Sequence, residues 1–520
     1  MRKVLQCRSR YELKRDVFST VEKLNDPALV KQAALLLEQE NARLHTRLQE
    51  LVAEIARLKG NDGHKQLQLE IVKLQEQMAT LRQDMFGASS EKRKAKGETP
   101  APRPPQTGHG PRQQVELPVE EHLHELPEAD RVCPDCGAPL AEWEGQTEDS
   151  EEITVVERHF VVRKNRRKKY RCQHGCAPVT APAPLKLMVG GRYSTEFAVY
   201  VAIAKYLYHL PLERQVRMYA ANRLVVDSQT LWDQIEALAK HLGFSYQALR
   251  DEVFASPLIH ADETYWLMLS KGTGKKWYAW TVASPSTVYH RIFDSRSAVT
   301  AKEVLGEYHG NVVADGYEPY QIVARAGPDG VPRYTLAFCW AHVRRKYVKA
   351  EPFAPTCAEV IDLIGKLYEV EHDLPNPHAL TGAEREAALA RILAVRRERS
   401  APVVDEIKKW AERQQGLPES TFRKAIQYML NLWHGLTVFL ENPWLPLDNN
   451  LVERQIRPLV VGRKNHYGSK SKRGTEVAAL FYSLIETAQL RGEDPAAYLQ
   501  RAALAAIAEP GTVTLPTAAE

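Results

Sequence analysis

Residues 256–266 read SPLIHADETYW, an apolar run that ends on one aspartate, Asp262. The pattern is strand-like, and it recurs. KKWYAWTVAS (275–284) and TVYHRIFD (287–294) read as a hairpin, NVVADGYEPY (311–320) runs apolar into Asp315, and YTLAFCWAH (334–342) is a further buried strand. Taken singly, an aspartate at a strand end is a turn or cap residue. Two of them on neighbouring strands, met by a glutamate from a later helix, would hold two divalent cations. Hard oxygen ligands suit Mg2+ or Mn2+, and ions about 3.5–4 Å apart activate an attacking oxygen and stabilise the departing one at a phosphodiester.

The glutamate is supplied by LPLDNNLVERQIRPLVVGRKNHYGSKSKRG, residues 445–474. From Leu451 to Gly474 seven cations, Arg454, Arg457, Arg463, Lys464, Lys470, Lys472 and Arg473, stand against one acid, Glu453. Asn450 and Glu453 are three apart, as in a capping box, so a helix cap is the plain reading. The sharper one is that Glu453 completes the acidic set and the cations contact DNA phosphates. About a hundred mostly helical residues separate CWAHVRRKY from this segment, too many for a loop. Strands, a helical insertion and an acid-bearing helix together suggest a ribonuclease-H-like α/β core: first part 255–345, insertion 346–444, second part 445–508, and a tail 509–520.

Upstream, Leu37, Leu44, Leu51 and Leu58 recur every seven residues, with Asn41, Leu48 and Ile55 between them. This leucine-zipper register, within a helical segment 1–90, predicts a parallel coiled-coil dimer or higher oligomer. Residues 91–115 are rich in Pro, Gly and Lys and read as a linker. In 116–185, Cys133 and Cys136 (CPDCG) and Cys172 and Cys176 (CQHGC) flank alternating residues, the pattern of a DNA-binding zinc ribbon holding one structural Zn2+. The second spacing is CxxxC, and His174 is a substitute ligand. The run RKNRRKKYR (163–171) suits a phosphate backbone or a solvated edge strand. Residues 186–254 read as helices, with a helix-turn-helix or plain helical packing both open. The fold class is therefore multidomain α+β.

Bulk properties bound the rest. The 520 residues carry 70 basic against 65 acidic side chains, a net charge of +5, so only local clustering informs on partners. No stretch has the apolar length of a signal peptide or membrane span, which predicts a cytoplasmic protein. Seven cysteines, an odd number with four in close pairs, do not make a secreted disulfide framework.

HADET, ADGY, CWAHVRRKY, LDNNLVERQIRPLVVGRKN and AALFYSLIETAQLRGEDPAAYL, in that order, resemble the successive motifs of the insertion sequence 66 family of bacterial transposases. So do KYLYHLPLERQ upstream, the cysteine knuckles, and the N-terminal coiled coil ending in FGASSEKR. The resemblance implies a DDE recombinase in which Asp262, Asp315 and Glu453 are the catalytic, Mg2+-binding triad. It implies cleavage at element ends, strand transfer of the 3′-hydroxyl into target DNA, small accessory proteins, and a nucleoid-associated life in a bacterial cytoplasm. Cys339 and His342 match a CxxH signature that follows the second aspartate in several DDE families; on sequence they read as a buried cysteine with a structural histidine. A ribonuclease-H-like nuclease without strand transfer and a zinc-ribbon repressor stand as alternatives, the second weakened because no carboxylate is missing.

Overall fold

The computed structural model describes residues 179–518 except 271–272, 326–330 and 417–419, together with 160–170, 133–141, 127–131 and positions 46, 50 and 124. The heptad leucines, the linker 91–115, and Cys172 and Cys176 lie outside the described residues. Two compact units divide the chain: residues 92–166 with 219–225, and all the rest.

The larger unit is built on a mixed sheet. Its strands are β1 (Leu258–Ser270), β2 (Thr273–Ala283), β3 (Val288–Phe293), β4 (Asn311–Ala314) and β5 (Thr335–Phe338), in the order β3-β2-β1-β4-β5. β1, β2 and β3 are joined antiparallel, with Asp262 opposite Thr281, while β4 and β5 add in parallel on the other side of β1. Alternation along β1 sends Ile259 and Ala261 into one apolar layer with Val304, Leu305, Tyr320 and Val323. Those four come from helices α5 (Ala298–Leu305) and α6 (Glu318–Arg325). His260, Thr264 and Trp266, on the opposite face, meet the C-terminal segment instead.

Between residues 195 and 255 four helices lead into the sheet: α1 (Thr195–Tyr206), α2 (Leu212–Ala221), α3 (Ser228–His241) and α4 (Gly243–Ala255). Ser194 caps α1 and Asp227 caps α3 through side-chain oxygens. Between β5 and the acid-bearing helix come α7 (Trp340–Ala350), α8 (Cys357–His372), α9 (Gly382–Val395), α10 (Ala401–Arg413), α11 (Thr421–Asn431) and α12 (Trp433–Thr437). The core of this helical stretch is continuous with the sheet, because Val313, Ala337 and Phe338 pack in the same cluster as Ile364, Ile407 and Met429. One buried cation ties it together. Arg396, in a π-turn between α9 and α10, gives Nε and Nη2 to Glu371 (2.8 and 2.6 Å). Its remaining donors reach the carbonyls of Phe439, Asn442 and Leu445.

After α13 (Asn450–His466) come α14 (Lys472–Leu490) and α15 (Pro495–Ala508). α14 explains the motif FYSLIETAQ. β3 is an edge strand whose outward amides would otherwise be unpaired. Ser483 and Thr487, one helical turn apart, accept from the amides of His290 (2.9 Å) and Val288 (3.1 Å). The covered edge is closed to pairing with other chains. Between these two hydroxyls Glu486 meets His290 Nε2 at 2.9 Å, fully inside, and burial raises the Glu486 carboxyl above its ordinary range.

No helix among the described residues is long and apolar enough to cross a membrane.

Candidate active site

Helix α13 is held against β1 at both ends, and this places Glu453. At its start, Asn449 donates from Nδ2 to the carbonyl of Ala261 (2.9 Å) and accepts from His260 Nδ1 (2.9 Å). At its far end, Arg463 Nη1 donates to Thr264 Oγ1 (3.1 Å) and to the Tyr265 carbonyl, and the guanidinium stacks 3.5 Å from the Tyr265 ring centroid. Beyond the helix, Ser469 exchanges backbone bonds with Leu267 and Leu269, so the turn continues β1's free edge. Gly468 makes this approach possible: its φ is +84°, and a Cβ there would stand 2.0 Å from the Leu267 carbonyl.

Asp262 on β1, Asp315 just after β4 and Glu453 in the first turn of α13 thereby share one electrostatic environment. Burial pushes the Asp262 carboxyl well above its usual range, and the charges of Glu263, Asp315 and Glu453 push it further. The Glu263 amide, which donates to Asp262 Oδ1 at 2.8 Å, opposes them. Asp315 Oδ1 accepts from the Tyr317 amide at 2.9 Å. Gly316 between them has no room for a side chain, since a Cβ would lie 2.5 Å from Leu432 Cδ1.

Asn450 and Glu453 do not form the capping box their spacing suggests. The Asn450 amide and side chain bond the Asp448 carboxylate (3.0 and 2.6 Å), and Asn449 rather than Asn450 precedes the helix. Glu453 instead faces α7, its Oε1 3.6 Å from His342 Nδ1 and its Oε2 3.7 Å from Arg345 Nη2. Both His342 Nδ1 and Glu453 Oε1 are buried without a hydrogen-bond partner. Crowded acids are what a divalent cation would relieve, but among the described residues the ligand atoms that gather within 4.8 Å are those of Cys339, His342 and Glu453, and Asp262 and Asp315 stand outside that group.

Of the seven cations, Arg454, Arg457, Lys464, Lys470 and Lys472 are exposed. Arg463 is a correction: expected at a phosphate, it is only 7% exposed and is spent on β1. Arg473 pairs with Glu236 and Glu476, both at 3.2 Å, which dilutes its charge toward a polyanion.

In the smaller unit Cys133 and Cys136 form a tight knuckle. The Gly137 amide bonds the Cys133 carbonyl (2.9 Å), the Cys133 amide bonds the Ala138 carbonyl (2.8 Å), and Gly137 turns with φ +73°. The Cys136 and Asp135 amides lower the pKa of the Cys133 thiol, favouring its thiolate. In the larger unit Lys169–Tyr170 pairs antiparallel with Val179–Thr180, and the sequence between those strands contains Cys172 and Cys176.

Sequence reasoning missed two residues here. Glu263 sits on the face opposite Asp262, where Tyr320 (2.6 Å) and Arg296 (2.7 Å from Nε) hold its carboxylate. Strict alternation along HADET was the available signal. Asn449 carries no pattern that separates it from a cap.

Acids gathered on a mixed sheet, beside a helix that shows arginines and lysines to solvent, suit chemistry on a polyanion. The chain belongs to the Transposase IS66 family, whose profile matches residues 190–477, from just before α1 into α14. Membership implies transposase function and DNA as a partner. Among relatives in Sinorhizobium fredii, the uncharacterised protein y4jD is 31% identical over 387 residues, 71% of this chain and 73% of its own. The uncharacterised protein y4qI is 28% identical over 528 residues, 92% of this chain and 93% of its own.

Proposed function

We propose that this chain is a DDE transposase that cleaves DNA at element ends and transfers the freed 3′-hydroxyl into target DNA. The observation that carries the reading is the match to the Transposase IS66 family over residues 190–477, which spans Asp262 on β1, Asp315 just after β4 and Glu453 in the first turn of α13. The strand order β3-β2-β1-β4-β5 supports a ribonuclease-H-like core, with the helical stretch α8–α12 as its insertion. On this reading Asp262, Asp315 and Glu453 are the ligands of paired Mg2+ or Mn2+. Bound there, the ions supply an activated oxygen and offset charge on the leaving oxygen. The chain's own work is to hold the three carboxylates together and to grip the DNA backbone through Arg454, Arg457, Lys464, Lys470 and Lys472.

The outlying parts complete the proposal with the boundaries read from sequence. Cys133, Cys136, Cys172 and Cys176 close a structural Zn2+ site in a DNA-binding ribbon, and metal analysis of reduced protein should find it. The leucine register dimerises the chain. Small accessory proteins and nucleoid association follow from the family resemblance.

The test is Glu453→Gln, which keeps size and removes charge. Cleavage of end-containing DNA with Mg2+ or Mn2+ should be abolished while DNA binding survives; near-normal cleavage would sink the metal assignment. A nuclease without strand transfer is separated by supplying pre-cut ends: the transposase joins them to target DNA and the nuclease does not.

A further inference from the structure

Cys339, His342 and Glu453 offer a sulfur, an imidazole nitrogen and a carboxylate oxygen, all within 4.8 Å of one another. Cys339 stands immediately before α7 and His342 three residues on, so both belong to that helix's first turn. Glu453 arrives from the first turn of α13. The transposition chemistry proposed above has no use for a thiol. Yet this one is buried, 2% exposed, and its Sγ accepts the Asn449 amide at 3.2 Å, the kind of N–H···S bond that orients a metal thiolate. His342 Nδ1 and Glu453 Oε1, 3.6 Å apart, are the two buried atoms here that lack hydrogen-bond partners. Two polar atoms that face one another at this distance without sharing a proton leave room for a cation between them.

The donor set decides which cation. A thiolate and an imidazole with one carboxylate select zinc-class ions, whereas Mg2+ takes oxygens and keeps its waters. We infer that Cys339, His342 and Glu453 form a binding site for a zinc-class divalent cation, distinct in its donors from the Asp262–Asp315 pair but sharing Glu453 with it. Binding displaces the Cys339 proton and leaves a fourth position open. Because Glu453 is common to both sets, occupation holds its carboxylate on α7 and competes with its service beside Asp262. The regulatory part of the inference rests on the proposed function; the site itself rests on the three side chains.

The test uses the full chain dialysed against buffered free Zn2+, with metal equivalents counted in wild type, Cys339→Ser and His342→Gln. Each variant should hold one equivalent fewer than wild type, or bind it at least ~10-fold more weakly. His342 is 24% exposed, so His342→Gln leaves packing intact should Cys339→Ser misfold. With Co2+ in place of Zn2+, the thiolate-to-cobalt absorption should fall in Glu453→Gln, which retains every cysteine. Zn2+ added to a Mg2+-supported cleavage reaction should inhibit wild type, and His342→Gln should need at least ~10-fold more. Asp262→Asn should keep the extra equivalent yet lose cleavage. A folded His342→Gln that binds as many equivalents as wild type overturns this site and leaves the transposase reading standing. An Asp262→Asn that cleaves normally overturns the transposase reading and leaves the site.

Discussion

Asn449 reaches across 188 residues to the carbonyl of Ala261, the residue before Asp262, at 2.9 Å. One buried amide thus fixes the distance between the strand that carries the first aspartate and the helix that carries Glu453. Because Nδ2 is spent on that carbonyl, Oδ1 must accept, and His260 therefore presents its Nδ1 proton (2.9 Å). Burial lowers His260 to about 4, so it is neutral at physiological pH and the contact is between uncharged groups. Asn449→Ala leaves the His260 donor and the Ala261 acceptor buried and unmet, at about 1–3 kcal/mol each. The variant should melt earlier. It should also lose cleavage at low temperature, where it is still folded, because Glu453 is no longer registered to β1. A variant that melts early but cleaves normally when folded would show that Asn449 supports the fold alone.

The crowded acids make a pH prediction. Asp262 and Glu263 are both raised, each first by burial. A carboxyl whose folded value lies above its unfolded one binds its proton more tightly in the folded state. Its stabilisation is present below the ordinary carboxylate range, near pH 4, and is lost as pH rises through the raised value. The melting temperature without divalent ions should therefore decline from pH 5 to 8, and less steeply in Asp262→Asn. Mg2+ should restore more stability at pH 8 than at pH 5 in wild type. Equal pH slopes in the two proteins would show that Asp262 is not held away from its charged form.

Arg396 gives a prediction remote from the acids. All five of its donors are used, on Glu371 and three carbonyls, at 3% exposure. A lysine cannot reproduce a planar fork, and it leaves carbonyls and a carboxylate unmet. Arg396→Lys should cost about 1–3 kcal/mol, the range for a buried acceptor left without its donor. Denaturant unfolding measures it; a loss under 1 kcal/mol would mean the cage relaxes around the smaller cation.

Much of this architecture was legible in the sequence, for a physical reason. NVVA and TLAF are short apolar runs that match β4 and β5, but β1 runs on from LIHA through Asp262 to Ser270, so that aspartate lies inside its strand and not at the end the apolar run suggested. Asp262 and Asp315 stood out because each interrupts an apolar run, and Glu453 because it is the lone acid in a basic strip. What the pattern could not carry was direction. Arg463 and Lys464 are adjacent cations in one helix, and only the packing of α13 on β1 turns one inward. Cys339 and His342 were recognisable as a pair, but their proximity to Glu453 arises from a contact between segments about a hundred residues apart, which no local spacing encodes. Asn449 and Asn450 look equivalent as caps, and the fold uses the first to bridge elements and the second to bond Asp448.

The inward turn of Arg463 separates it sharply from its neighbour. Its guanidinium bonds Thr264 and Tyr265 and covers the Tyr265 ring, while Lys464 is exposed. Arg463→Ala removes charge-assisted bonds and a cation–π contact, together about 2–4 kcal/mol. The end of α13 would loosen from β1, lowering the melting temperature. At a temperature where that variant remains folded, the salt dependence of DNA binding should match wild type, because no phosphate contact has been lost. Lys464→Ala should do the opposite. Its stability should stay within about 0.5 kcal/mol of wild type, as for a surface substitution, while the slope of log affinity against log salt falls by about 0.9 for one phosphate contact removed. Paired thermal unfolding and salt-titrated binding to end-containing DNA decide between them. A reduced salt slope with unchanged stability in Arg463→Ala would mean that the arginine swings out to the DNA, and the staple on β1 would then belong only to the unbound protein.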